Sequence, residues 1–166
     1  MCHQRVLHTL GIRAALGRTI GPHDDRRPGG HPVVMLAHGY WQDRFASDPD
    51  VVGGEIRLNG RAYIIIGVAS EAYPGSGRYI EPKLYIPVAM ANELNGFEVL
   101  ANRGANAFFG KARLAPGVTR AQAETAVAAV AASLDAERPD GWVVGNRFVL
   151  VPTTEVLITP MLDPYL

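Results

Sequence analysis

The fourteen residues from 55 to 68, Glu-Ile-Arg-Leu-Asn-Gly-Arg-Ala-Tyr-Ile-Ile-Ile-Gly-Val, constrain this chain more than any other stretch. Asn59 and Gly60 are residue types that accept positive φ at both central positions of a type I′ turn. Ahead of them Ile56 and Leu58 alternate with Glu55 and Arg57, the period of a strand with one face buried. A β-hairpin is predicted here, and every fold considered must contain it.

Other elements are placed around that hairpin by punctuation. Residues 4–10 read as a short helix that ends near Gly11 and leads into Ala14-Ala15-Leu16-Gly17. A polar loop spans residues 21–32, rich in the turn formers Pro22, Asp24, Asp25, Pro28, Gly29 and Gly30. Residues 33–37 read as a buried strand, and residues 38–45 as a helix that brings Tyr40, Trp41 and Phe45 into a core. Residues 69–82 turn irregular, residues 83–87 form another strand and residues 88–93 a short helix. A connection rich in Asn and Gly occupies residues 92–105.

The remainder reads as a β-α-β unit. Its first strand covers residues 107–114, Pro116-Gly117 turns the chain, and a helix follows over residues 119–137. Thr119 and Gln122 have capping-box spacing, Arg120 and Glu124 form an exposed i,i+4 pair, and the inward stripe is Ala123, Val127, Val130 and Leu134. A second strand over residues 147–151 should lie parallel to the first with a right-handed crossover. Residues 153–166 show no period.

Composition narrows the class of function. A chain of 166 residues with 48% hydrophobic and 19% charged residues is expected to be globular, not disordered. Its 16 basic residues balance 16 acidic ones, which argues against a nucleic-acid binder. One cysteine, Cys2, excludes an internal disulfide and any multi-cysteine zinc site. The start lacks the apolar core of a signal peptide, and the longest apolar run, residues 126–132, is far short of the roughly 20 residues that a membrane span needs. Taken alone, the chain is expected to be soluble.

Signatures of catalysis are weak. The stretch 104–112 resembles a phosphate loop but has five residues between its glycines and Ala112 where a Ser or Thr should follow Lys111. Gly75-Ser76-Gly77 lacks the spacing of a nucleophile elbow and reads as a turn. His23, Asp24, Asp25 and His31 are of metal-ligating type, yet adjacent residues rarely face one centre, and a solvated loop is the simpler reading. His38 with Asp43 or Asp48 has no Ser or Cys nucleophile beside it. No catalytic, cofactor-binding or metal-binding residue is therefore assigned. Tyr73, Tyr79 and Tyr85 are the candidate contacts with a partner or at a junction between lobes, because amphipathic aromatics suit such surfaces, although packing in a core or at the lobe junction is the simpler reading of them.

A series of motifs adds a resemblance. Leu10-Gly11-Ile12-Arg13-Ala14-Ala15-Leu16-Gly17-Arg18-Thr19 with Asp24-Asp25, Tyr40-Trp41-Gln42-Asp43-Arg44-Phe45 and Asp48-Pro49-Asp50-Val51-Val52-Gly53 occur in order. Ile56-Arg57-Leu58-Asn59-Gly60, Leu84-Tyr85-Ile86-Pro87 and Gly110-Lys111-Ala112-Arg113-Leu114-Ala115-Pro116-Gly117 continue the series. Together they resemble the MacB-like periplasmic core domain of ABC-transporter permeases of the FtsX-like type. The start, Cys2-His3-Gln4-Arg5, departs from the Asn-Tyr-Phe pattern of many such permeases.

That resemblance implies an α+β fold in which a mainly-β, Sabre-like lobe interrupts a porter-like lobe of split βαβ type. Residues 1–17 would be a helical segment leading from the porter-like lobe and residues 18–91 the Sabre-like lobe. Residues 92–105 would be a connection, residues 106–152 the porter-like β-α-β half, and residues 153–166 a segment towards a membrane helix outside this chain. Hinges would lie near residues 17–32 and 92–105. The implied role is extracytoplasmic, on the periplasmic face of the bacterial inner membrane: to transmit conformational change and to contact an adaptor or substrate during export. The implied partners are the permease's own membrane helices, a periplasmic adaptor, an ATP-binding subunit and a second permease copy. The alternative is a stand-alone periplasmic module binding a ligand or peptide.

Overall fold

A computed structural model describes residues 12–73, 82–102, 108, 110, 112–137 and 149–152. The chain divides into two compact units, Met1–Leu100 and Ala101–Leu166. The first unit is built on the predicted hairpin, β3 (Glu55–Leu58) and β4 (Arg61–Ala69), joined by Asn59 at φ 49° and Gly60 at φ 80°. Both turn residues take the positive φ that a type I′ turn demands.

At nine residues, β4 is long enough to serve several partners. Along one edge its first half pairs antiparallel with β3 and its second half with β1 (Ala14–Gly17). Its other edge pairs in parallel with β2 (Val33–Leu36), which pairs antiparallel with β5 (Leu84–Tyr85). The result is a five-stranded mixed sheet, with α1 (His38–Phe45) on the connection from β2 to β3. Residues 14–17 were expected to belong to an N-terminal helical segment, and they form β1 instead. Alanine and leucine favour helix locally, but pairing against β4 outweighs that weak preference. The expected helix over residues 4–10 lies outside the described residues.

Two glycines shape the β1–β4 contact. Gly67 and Gly17 are register partners, and a side chain at Gly67 would sit 2.8 Å from the Leu16 carbonyl oxygen and 2.9 Å from the Arg18 nitrogen. Pairing with both neighbours slips at this point, between Ala14 and Leu16 on β1 and between Val34 and Met35 on β2. The slip lets Tyr63, Ile65 and Val68 share one face of β4, although residues 65 and 68 are an odd number apart.

Each sheet face carries its own core. Val34, Leu36, Val51, Tyr63, Ile65, Val68, Ile86 and Met90 form the first cluster, against which Tyr40, Trp41 and Phe45 of α1 pack while half-buried. Ile20, Met35, Ile66, Ala69 and Tyr85 form the second on the opposite face. The short run of residues 33–36 reads as continuous hydrophobe because it serves both clusters, and Val34, Met35 and Leu36 are wholly buried.

The expected connection at residues 92–105 proves structured up to residue 100. A 3-10 turn (Val88–Met90) runs into α2 (Ala91–Asn95), which Gly96 ends at φ 73°. The Asn92 carboxamide oxygen then accepts the N–H groups of Val99 at 2.8 Å and Leu100 at 3.1 Å, so one side chain folds the following turn back. In the second unit, α3 (Arg120–Glu137) begins with the capping box read from the sequence, Thr119 N–H donating to the Gln122 side chain at 2.8 Å. Arg120 and Glu124 pair at 2.7 Å. The least exposed positions of α3 include Ala123, Val127, Ala131 and Leu134; Val130, expected on that stripe, is 59% exposed. The i,i+4 step from Val127 falls on Ala131, which keeps the stripe on one helix face. Of the two expected flanking strands, residues 108, 110, 112–114 and 149–151 are described and carry no regular element, and the rest lies outside the described residues.

Candidate functional site

The loop between β1 and β2 holds the densest polar contacts of the first unit. Arg18, just after β1, donates from Nη1 to Asp24 Oδ2 at 2.6 Å and from Nη2 to Oδ1 at 2.8 Å. The Gly21 N–H donates to Asp24 Oδ2 at 2.7 Å. Pro22 opens the 3-10 turn Pro22–Asp25, and the chain direction it sets carries Asp24 inward, where it is 4% exposed. Burial by itself would push the Asp24 carboxyl up, but the bonds from Arg18 and the Gly21 N–H outweigh it and hold the carboxyl below the usual carboxylate range. The same hydrogen bond raises Arg18 against the opposing effect of burial.

Asp25 faces a different partner. Its Oδ1 accepts the Ala89 N–H at 2.6 Å, at the start of the turn Val88–Met90, while the Gly29 N–H donates to the Ala89 carbonyl at 2.8 Å. The hairpin joins this lattice at two points. Arg61 Nη2 donates to the Gly29 carbonyl at 2.9 Å and its Nη1 lies 3.7 Å from Glu93 Oε1, while Asn59 Nδ2 donates to the Leu94 carbonyl at 2.8 Å. Loop, hairpin and the segment around α2 are thereby tied into one brace. Its long-range partners escape sequence reading, because nothing in the local pattern around Arg61 or Asp25 points to residues so distant along the chain.

The residues considered as metal ligands therefore separate. Asp24 and Asp25 turn to different partners, and His23 Nδ1 lies 2.6 Å from Arg26 Nη2. The loop expected to be merely solvated contains an ion pair whose carboxylate, Asp24, is buried while Arg18 stays half exposed. Among the described residues no group of three His, Cys, Asp or Glu is placed to hold a metal ion. His38 meets the Trp41 ring edge-on at 5.4 Å, and Asp48 accepts the Asp50 N–H at 2.9 Å, so these two serve the ends of α1 and the turn after it.

Of the three candidate tyrosines, Tyr73 and Tyr85 are brought together, their ring centres 5.8 Å apart at 37°. Tyr85 is 2% exposed within the second core cluster, and Tyr73 lines an open cavity of about 450 Å³ beside α1. Tyr79 lies outside the described residues. Asp43, Arg44, Glu71 and Lys83 share the cavity wall, and Lys83 Nζ lies 5.9 Å from the centre of the Tyr40 ring.

A family model described as the MacB-like periplasmic core domain matches residues 4–130, well over half of the chain. The chain belongs to this family. No curated protein sequence matches it significantly. Among solved structures, the periplasmic region of MacB from Actinobacillus actinomycetemcomitans matches with a TM-score of 0.54 at 19% identity. That match covers 80% of this chain and 54% of the solved one, so the chain spans about half the length of that relative. The likeness is one of fold: the mixed sheet with helices is the α+β architecture expected. The chain is thus a MacB-like periplasmic domain of the kind found in ABC-transporter permeases. Among the described residues of this MacB-like domain, no helix is long and apolar enough to cross a membrane.

Proposed function

We propose that this MacB-like domain transmits conformational change within an ABC-transporter permease and contacts a periplasmic adaptor or the substrate during export. The observation that carries the reading is the brace. Asp25, Arg61 and Asn59 spend their polar atoms on ties between separate segments of the first unit, while Arg18 and Asp24 hold the shape of the loop that receives them. A unit cross-tied in this way moves as one body, which is what force transmission requires. On this reading residues 18–91 are the Sabre-like lobe and α3 is the helix of the porter-like half. The partners would be the permease's membrane helices, an ATP-binding subunit and an adaptor, with Tyr73 at the cavity rim as a candidate contact.

The alternative of a ligand-binding module gains little from the cavity. Binding pockets are concave and mostly apolar, whereas this one is open and walled by four charged side chains.

The test uses the permease that carries this domain, reconstituted in vesicles. Replacing Asp25 and Arg61 together by alanine should leave ATP hydrolysis in place and lower transport, because motion no longer passes between the loop, the hairpin and the segment around α2. Transport and hydrolysis both at the unmodified level, in a variant confirmed folded by its melting curve, would overturn the proposal.

A further inference from the structure

Among the described residues β3 pairs with β4 along one edge only. Leu58 and Arg61 close the two-residue turn and therefore form a hydrogen-bonded pair, after which such pairs recur at every second residue. Ile56 with Tyr63 is the next, and the series continues at Gly54, whose carbonyl accepts the Ile65 N–H at 2.9 Å. By that alternation the N–H and C=O groups of Glu55 and Arg57 point away from β4. Among the described residues no strand pairs with this edge.

A second strand placed there can align in few ways. For two antiparallel copies of β3, the outward groups of Glu55 and Arg57 are satisfied when Glu55 of each copy faces Arg57 of the other. This register puts Ile56 of both copies on the two-fold axis as the close, non-hydrogen-bonded pair, their Cα atoms about 4.5 Å apart. The register demanded by the backbone is thus the one that matches charge, twice over. Glu55 and Arg57 are exposed, the Arg57 Nη1 making one long bond of 3.4 Å to the Gly60 carbonyl, while Ile56 packs partly buried on the first core cluster and would extend that cluster across the axis. The next residue facing Leu58 is Gly54 of the other copy, whose missing side chain leaves room. An unrelated extended peptide would satisfy the backbone groups but has no reason to present this opposite-charge order.

We infer that β3 is a homotypic interface: two copies of this chain join through antiparallel β3–β3 pairing centred on Ile56, with reciprocal Glu55–Arg57 pairs. Four backbone hydrogen bonds and two ion pairs make a contact below the roughly 1,000 Å² of a stable dimer, so the association is weak in solution. The inference is independent of the transport role.

The full chain is measured by sedimentation equilibrium at low salt and concentrations up to the millimolar range. E55R and R57E alone should each weaken self-association by about tenfold, since each sets like charges opposite one another at two points. An equimolar mixture of E55R and R57E should restore it, because each mixed pair is again of opposite charge. For register, E55C and R57C in a Cys2→Ser background should form a disulfide between the two variants when mixed and far less within either alone. A chain monomeric throughout that range overturns the inference. So does association that ignores both reversals, or cross-linking of each cysteine variant with itself, which would indicate a different contact.

Discussion

Gly67 shows how one residue sets the register of a sheet. Its Cα faces the backbone of β1 so closely that a methyl group would meet the Leu16 and Arg18 main chains, and main chain cannot swing aside as a side chain can. Gly67→Ala is expected to destabilise the first unit by about 1–3 kcal/mol through overpacking, read as a lowered thermal midpoint. If the midpoint is unchanged, β1 does not pack as described. Gly17, at φ 63° against the Ile66 backbone, has the same constraint with a conformational one added.

Asp24 gives a residue-scale pH dependence with a definite sign. Its carboxyl is held below the usual range in the folded state, so the stabilisation it contributes is present above the unfolded value of about 4 and is lost as pH falls through the folded value. Asp24→Asn should therefore be less stable than the unmodified chain by a constant amount above about pH 5, and the gap should narrow below about pH 4. Because Arg18 is 54% exposed and so screened, the plateau is expected near 1 kcal/mol. Urea titrations of both proteins between neutral and acid pH check this; a gap that widens on acidification would contradict the ion pair.

At the scale of the element, α1 ends under strain. Ala46 and Ser47 follow it with φ of 49° and 58°, a region that side chains other than Gly, Asn and Asp adopt at a cost. Ala46→Gly is expected to stabilise the unit by about 0.5–1 kcal/mol by removing the Cβ from a left-handed cap. Chemical denaturation with an unchanged slope would establish the effect; a loss of stability would mean that the methyl group packs. The opposite end of α1 has no side-chain cap, since Ala37 precedes it, so the helix depends on Tyr40, Trp41 and Phe45 lying on the sheet and on the Trp41 Nε1 bond to the Asp48 carbonyl at 2.8 Å. For α3 the reverse holds: the capping box and the i,i+4 pair are local, and both were legible before any tertiary contact was considered.

At the scale of the whole molecule, both core clusters of the sheet are supplied by residues that precede Leu100. A chain ending at Leu100 is therefore expected to keep a cooperative thermal transition and a β-rich circular dichroism spectrum. A broad, non-cooperative melt would show that residues 101–166 are needed to complete the first unit. The family also became legible only at this scale. No single motif is diagnostic, but their order along residues 4–130 is, and the solved MacB periplasmic region has the corresponding fold.

What the amino-acid sequence determined alone was whatever depends on neighbours in the chain. The Asn59-Gly60 turn, the strand at residues 33–36, the helix α1 and the capping box of α3 all follow from backbone preferences and hydrophobic period within a few residues. Tertiary structure decided everything that depends on who packs against whom. It turned Ala14–Gly17 into a strand, buried Asp24 against Arg18 and moved the stripe of α3 from Val130 to Ala131. The physical reason is that local propensities differ by only about 1 kcal/mol between alternatives, so pairing with a distant strand can overrule them, and that pairing is not visible until the segments meet.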